Sequence, residues 1–302
     1  MASFSRQMEE QSLDLVWSLW AELGVSGWRR SHTSHAIDPE LLILFTAFLG
    51  DADPRLRDES TDWCIAYGRY VSAARLKNLL ARQTPAIQAS FGETAATVNA
   101  NSSLRWPGAT TPRRFQRTGR SAIVDFRRPS LVVLRLRALF GVGARAEIVR
   151  AFVADPSLRP TAADLAGEAG YTKRHIAEAL DALRMAGLLE AERRRNQLLY
   201  RTTSAQALIG LLGDVPSCFP RWHSIFRILE RLLEAARCAE SLTPRARAVE
   251  ASDALHDTEA DLRIAGSRMP DVEMQTRDPW AELEPWALEL VGSWAAGSMG
   301  AA

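Results

Sequence analysis

Eight residues of this chain have types and spacing suited to holding a polyanion. Thr172, Lys173, Arg174 and His175 are consecutive, and Arg193, Arg194, Arg195 and Arg201 follow them. A guanidinium fork or an ammonium group can bond guanine O6 and N7, while a hydroxyl or imidazole can reach a base edge or a phosphate. At the first turn of a helix such groups add to the positive end of the helix dipole, where phosphate oxygens are favoured. Three successive arginines suit a nucleic-acid backbone through salt-sensitive attraction that ignores sequence. The chemistry is that of DNA recognition. Lys173 and Arg174 are the candidates for guanine, Thr172 or His175 for a base edge or phosphate, and Arg193, Arg194 and Arg195 for the adjoining backbone or minor groove, with Arg201 assisting.

Other chemistries find weaker material. His32 and His35 stand near Ser31, Ser34 and Asp38 and could be drawn as a nucleophile and base, but Ser and His in a loop before a helix cap read as surface residues. Cys218 and His223 are five apart with no further ligand nearby, too little for a metal site. Neither a phosphate-binding glycine loop nor an HExxH or GxSxG motif occurs. The expectation is a protein that is not an enzyme and uses no metal or cofactor. Cys64, Cys218 and Cys238 are odd in number and form no CxxC pair, which fits a reducing compartment, with cytoplasm as the expected location. The start MASFSRQMEEQ has no apolar run after a basic residue, and no stretch approaches the ~20 apolar residues of a membrane span, so no membrane role is expected.

The elements that must position the eight residues can be read around them. Thr161 followed by Asp164 is a capping-box start to a short helix, Gly170 supplies the turn, Thr172 is a second N-cap, and a longer helix runs to Gly187. Ile176, Leu180 and Leu183 give that second helix one apolar stripe, leaving the polar N-terminal cluster on another face. Beyond Gly187, LLEAERRRNQLLYRTT has the make-up of a β-hairpin turning at Arg195-Asn196. Ahead of the pair, Ile148, Val149 and Phe152 mark a third helix over 144–154, which completes a three-helix core.

Flanking segments read as helical on both sides. Residues 1–92 carry helices near 9–22, from the Asp38-Pro39 start through ELLILFTAFLG, over 55–70, and from Ser72 onward. Residues 93–129 are rich in Gly, Pro, Ser, Thr, Asn and Arg, and read as a linker or arm. Between Arg105 and Arg137 nine arginines face one acid, Asp125, and Phe115 and Phe126 are interleaved, so phosphate tracking and base stacking are conceivable there, although arginines that simply solvate the loop, or pair with an acidic face such as the C-terminal one, are the stronger expectation. From Glu240 to Glu289 twelve acids face five arginines. Segment 130–205 holds SLVVLRLRALFG, preferred as a leading helix although the alternation of Leu134 and Leu136 with Arg135 and Arg137 also fits a strand, and the helix–turn–helix with its hairpin. Segment 206–302 reads as helical, with Ile225, Phe226, Leu229, Leu232 and Leu233 forming a bundle or dimer seam, a loop at MPDVEMQTRDP, and a final aromatic stripe from Trp280 to Trp294.

Residues 141–203, about a fifth of the chain, resemble the winged helix-turn-helix domains of ArsR/MarR-type bacterial transcription regulators. The resemblance rests on Asp164-Leu165-Ala166, Ala169-Gly170, Ile176, Leu180, Leu183 and Gly187-Leu188-Leu189. It lacks the cysteines of the metal-sensing ArsR helix and the Asp-x-Arg pattern usual in a MarR wing. It implies a mostly α fold with a central winged helix-turn-helix, three helices plus a β-hairpin wing, between helical domains. The implied function is that of a sequence-specific transcriptional regulator, a dimeric repressor whose partners are double-stranded DNA and a second copy of the chain. Two alternatives stand beside it. One is an antitoxin-like interaction module that binds a co-encoded protein and autoregulates; the other is RNA binding through the arginine-rich arm.

Overall fold

Ser3, Asp38, Asp53, Ser72 and Thr84 each end a loop and start a helix, because their side-chain oxygens accept a first-turn N–H that has no partner inside the helix. The helices they begin are α1 (Phe4–Glu22), α2 (Pro39–Leu49), α3 (Pro54–Tyr67), α4 (Ala73–Leu80) and α5 (Pro85–Ala100). Proline opens α2, α3 and α5, where its fixed φ suits the helix and its missing N–H is no loss. The computed structural model describes residues 3–27, 30–123, 125–270 and 279–299, and they are mostly helical. A middle group follows: α6 (Val132–Phe140), α7 (Ala144–Ala154), α8 (Ala162–Ala169), α9 (Lys173–Met185), the strands β1 (Leu189–Arg194) and β2 (Gln197–Thr202), and α10 (Ala205–Leu212). The chain ends in α11 (Trp222–Ala239), α12 (Pro244–Ile264) and α13 (Pro279–Ala295).

Two hydrophobic clusters organise these elements, and they do not follow the division expected from sequence. The N-terminal and C-terminal segments share one core, in which Leu19 and Trp20 of α1, Phe45 of α2 and Trp63 of α3 pack with Leu229 of α11 and Trp294 of α13. Phe45 stacks on Phe226 with ring centroids 4.6 Å apart, and the Trp20 indole donates to Thr46 Oγ1 at 2.9 Å. The apolar seam of α11 is thus covered by α1, α2 and α12 of the same chain. A dimer would have to use another face.

The second cluster joins α6, α7, α8, α9, the hairpin and α10 through residues such as Leu136, Phe152, Leu165, Leu180, Tyr200 and Leu208. Helix α10 starts at the Ser204 cap and packs on α6 and α7. It therefore belongs with the middle group, which extends past residue 205. The loop expected at MPDVEMQTRDP lies largely outside the described residues.

Residues 93–129 are also not a free arm. Helix α5 reaches Ala100, because a stripe of small residues lets it lie close to its neighbours: a Cβ on Gly92 would stand 2.8 Å from the Gly108 carbonyl oxygen. Such a helix has little apolar periodicity to announce it. The strand of irregular chain after it lies on α3. Arg113 donates to Asp58 Oδ1 (2.9 Å), Thr61 Oγ1 (2.9 Å) and the Arg57 carbonyl (3.2 Å), and the amides of Thr118 and Gly119 converge on Asp62. Arg127 pairs with Asp125 and Arg128 with Glu22, while Phe115 and Phe126 pack against the first core. Arg113, Arg117 and Arg120 thus face acids of α3, Arg128 an acid of α1 and Arg127 its near neighbour Asp125, and among the described residues none of them pairs with the acidic C-terminal segment.

Candidate nucleic-acid interface

The eight residues singled out by type are carried by α9 and the hairpin after it. The capping box forms as the spacing requires: Thr161 N–H donates to Asp164 Oδ2 at 2.8 Å, and Asp164 N–H to Thr161 Oγ1 at 3.3 Å. Gly170 then takes φ +70°, and Thr172 caps α9 by accepting from the His175 N–H at 3.3 Å. Ile176, Leu180 and Leu183 are buried against α7 and α8. Their burial turns the opposite side of α9 outward, so that Thr172, Lys173, Arg174, His175, Glu178, Asp181 and Arg184 are exposed.

The hairpin is antiparallel, with Leu189 opposite Thr202 and Arg194 opposite Gln197, so Arg195 and Asn196 form its two-residue turn. Arg195 has φ +55° there. The amide of Tyr200 donates to the Pro160 carbonyl at 3.0 Å, which ties the hairpin to the loop before α8. Burial of Leu189 and Tyr200 holds its base, and the tip with Arg193, Arg194 and Arg195 stands in solvent.

Ion pairing sorts the cations further. Arg174 Nε donates to Glu178 Oε1 at 2.8 Å, Arg184 pairs with Asp181 at 2.7 Å, and Arg201 pairs with Glu190 across the hairpin. Lys173, Arg193, Arg194 and Arg195 make no ion pair among the described residues. Exposed pairs of this kind are weak and screened by solvent, so Arg174 and Arg201 can exchange their carboxylates for phosphate or base at small cost.

The helix pair is clamped from behind by residues whose role sequence reasoning missed. Arg75 of α4, fully buried, donates from Nε to the Ala169 carbonyl at 2.8 Å, and Asn78 Nδ2 donates to the Gly170 carbonyl at 3.0 Å. Tyr171 donates its hydroxyl to Ser72 Oγ at 2.7 Å. The bonds from Arg75 and Asn78 absorb carbonyls at the end of α8, and all three hold the turn against α4. Arg75 also meets Asp38 Oδ1 at 2.6 Å and Glu40 Oε2 at 2.7 Å, Arg137 meets Glu40 (2.7 Å) and Glu147 (2.8 Å), and Arg150 meets Glu147 at 3.0 Å. A charge in a run of apolar residues was the available signal, as in Glu40 before LLILF and Arg137 within LVVLRLRALF.

Gly170 connects the clamp to the interface. A Cβ there would lie 3.2 Å from Arg75 Cγ and 3.3 Å from Leu79 Cδ2, on a backbone that L residues adopt at a cost of about 1–2 kcal/mol. Gly170→Ala is therefore expected to destabilise the protein by at least that amount. A urea titration should show a lower midpoint with an unchanged slope.

The Ser/His set of the sequence reading does not assemble. His32 is buried rather than at the surface, with its ring nitrogens 2.8 Å from Ser18 Oγ and 2.9 Å from the Trp294 carbonyl, and Asp38 is committed to Arg75. Among the described residues no group of three or more His, Cys, Asp or Glu could hold a metal ion, and no helix is long and apolar enough to cross a membrane. No family model, characterised protein or solved structure matches the chain.

Proposed function

We propose that the protein is a sequence-specific DNA-binding transcriptional regulator, in which α7 to α9 and the hairpin act as a winged helix-turn-helix. Helix α9 enters the major groove by its N-terminal end and the hairpin tip follows the neighbouring backbone. The observation that carries this reading is the distribution of unpaired cations. Lys173 and Arg193 to Arg195 are exposed and, among the described residues, without carboxylate partners, whereas Arg137, Arg150, Arg184 and Arg201 of the same group are bound to acids.

The middle group has little surplus charge, with ten basic against eight acidic residues over 141–203. Tight binding then favours two copies on a two-fold site, their recognition helices about 34–36 Å apart, one DNA turn. A dimer seated on a promoter would repress by occupying it. Gel shifts of genomic fragments at about 50 mM salt test this: protein-dependent retention, lost as salt rises, is expected. Absence of any retention at low salt would rule out DNA as the partner.

A further inference from the structure

Between the helical body and the helix pair lies a cavity of about 500 Å³, a size that accommodates a small organic molecule. Its apolar wall comes from Leu41, Leu79, Val133, Trp222 and Ile264, which belong to α2, α4, α6, α11 and α12. Its polar wall contains Arg150 of α7, Glu168 of α8, and Arg221 and His223 at the start of α11. A second cavity of about 390 Å³ adjoins it and shares Arg150, Glu168 and Arg221.

The carboxylates at this junction are shared between cations. Arg75, also in the wall, is saturated by Asp38, Glu40 and the Ala169 carbonyl. Among the described residues Arg221 has one carboxylate partner, Glu168, at 2.5 Å, and Glu168 also lies 3.6 Å from Arg150, whose other partner is Glu147. One carboxylate therefore serves two guanidinium groups. The Arg221–Glu168 bridge is half-exposed, and such bridges are easily exchanged. Burial and the nearby Arg227 push the His223 imidazole below its usual pKa, so near neutral pH it stands as an uncharged hydrogen-bonding group beside them. The first turn of α11 has no side-chain cap, which adds to the positive potential.

We propose that this cavity binds a small hydrophobic monocarboxylate, whose carboxylate takes Arg221 and Arg150 from Glu168 while its apolar body lies against Trp222 and Ile264. Glu168 is two residues from Gly170, so its release removes a tether between α8 and the segment leading into α11. The ligand would thereby alter DNA binding by α9. That regulatory consequence rests on the proposed DNA-binding function; ligand binding itself does not.

Titration calorimetry on the full chain with 4-phenylbutyrate, indole-3-acetate and decanoate, each beside its neutral amide, tests the site. At least one acid should bind saturably at one site, with its amide weaker by about tenfold or more, as expected for loss of a charge-assisted pair. Arg221→Gln should weaken the acid by a similar factor, and Glu168→Gln should strengthen it by removing the competitor. Both side chains are half-exposed, so the variants should melt like the parent protein. Failure of all three acids to bind at about 1 mM, equal binding of acid and amide, or an Arg221→Gln variant with unchanged affinity would overturn the proposal. Gel shifts with saturating acid separate the two ideas. Ligand binding in a protein that never retains DNA would leave the site standing and reject the DNA-binding function, and DNA retention untouched by bound ligand would reject regulation.

Discussion

Glu40→Leu is expected to lower the thermal unfolding midpoint by about 6–10 °C. Glu40 is fully buried and its two oxygens accept four bonds, from the Ser72 amide (2.6 Å), Arg75 Nη1 (2.7 Å), and Arg137 Nη1 and Nη2 (2.8 and 2.7 Å). With Asp38 and Glu147 it balances Arg75, Arg137 and Arg150, three charges of each sign. Removing one carboxylate leaves a buried positive charge uncompensated and the Ser72 amide unpaired. Breaking a buried ionic set in this way costs about 3–5 kcal/mol, and a domain of this size loses roughly 2 °C per kcal/mol. Calorimetric melting of the variant checks it. A drop under 2 °C would mean that Asp38 and Glu147 alone suffice to hold the two guanidinium groups.

The same network sets the acid limit of the fold. Burial by itself would raise Asp38 and Glu147, but Arg75, aided by Arg137 and Arg150, outweighs it: Asp38 is held well below the usual carboxylate range and Glu147 is brought down to about 2. Both carboxyls therefore take up protons more readily in the unfolded chain than in the folded one. Their contribution is fully present above the ordinary carboxylate pKa of about 4 and is lost as the pH falls through that value towards 2. Melting temperatures measured from pH 6 to pH 2.5 should fall most steeply below pH 4. Loss of stability in that range would also release the helix pair from α4, because Arg75 both binds Asp38 and holds the Ala169 carbonyl.

Local signals carried most of the secondary structure. The Asp38-Pro39 start, the Thr161/Asp164 box, the left-handed Gly170, the Thr172 cap and the Arg195-Asn196 turn are short-range devices, and each forms where the spacing put it. What escaped was long-range. Nothing local in α11 says whether its apolar seam meets a second copy or α1 and α2 of its own chain, since both covers look alike from one strand of sequence. Helix α5 escaped because alanine and glycine give it little apolar contrast, and the partners of Arg113, Arg117, Arg120 and Arg128 could not be named because Asp58, Asp62, Glu59 and Glu22 lie more than fifty residues away. The residues proposed to touch DNA were legible as a set, while the buried charges that hold α8 and α9 in place were scattered over α2, α4, α6 and α7.

Two substitution sets should separate base reading from backbone attraction. Lys173→Ala with Arg174→Ala removes the two cations at the first turn of α9. Arg174 is held by Glu178 through Nε, which leaves its two terminal nitrogens available to a guanine edge. Good base contacts are worth about 1–3 kcal/mol each, so the pair should weaken binding to the preferred site by at least tenfold while binding to unrelated DNA changes far less. Arg193, Arg194 and Arg195 all changed to Ala should act the other way. They stand at the exposed hairpin tip, without carboxylate partners among the described residues, and as phosphate contacts they should be lost about equally on every sequence. The slope of log K against log salt should fall by about 3, close to one unit per contact removed. Fluorescence anisotropy at several salt concentrations on specific and scrambled duplexes reads both quantities. A hairpin triple variant that lost discrimination but kept its salt slope would exchange the roles proposed for α9 and the hairpin. Variants with no effect on either quantity would show that DNA, where bound, is held by another face of the molecule.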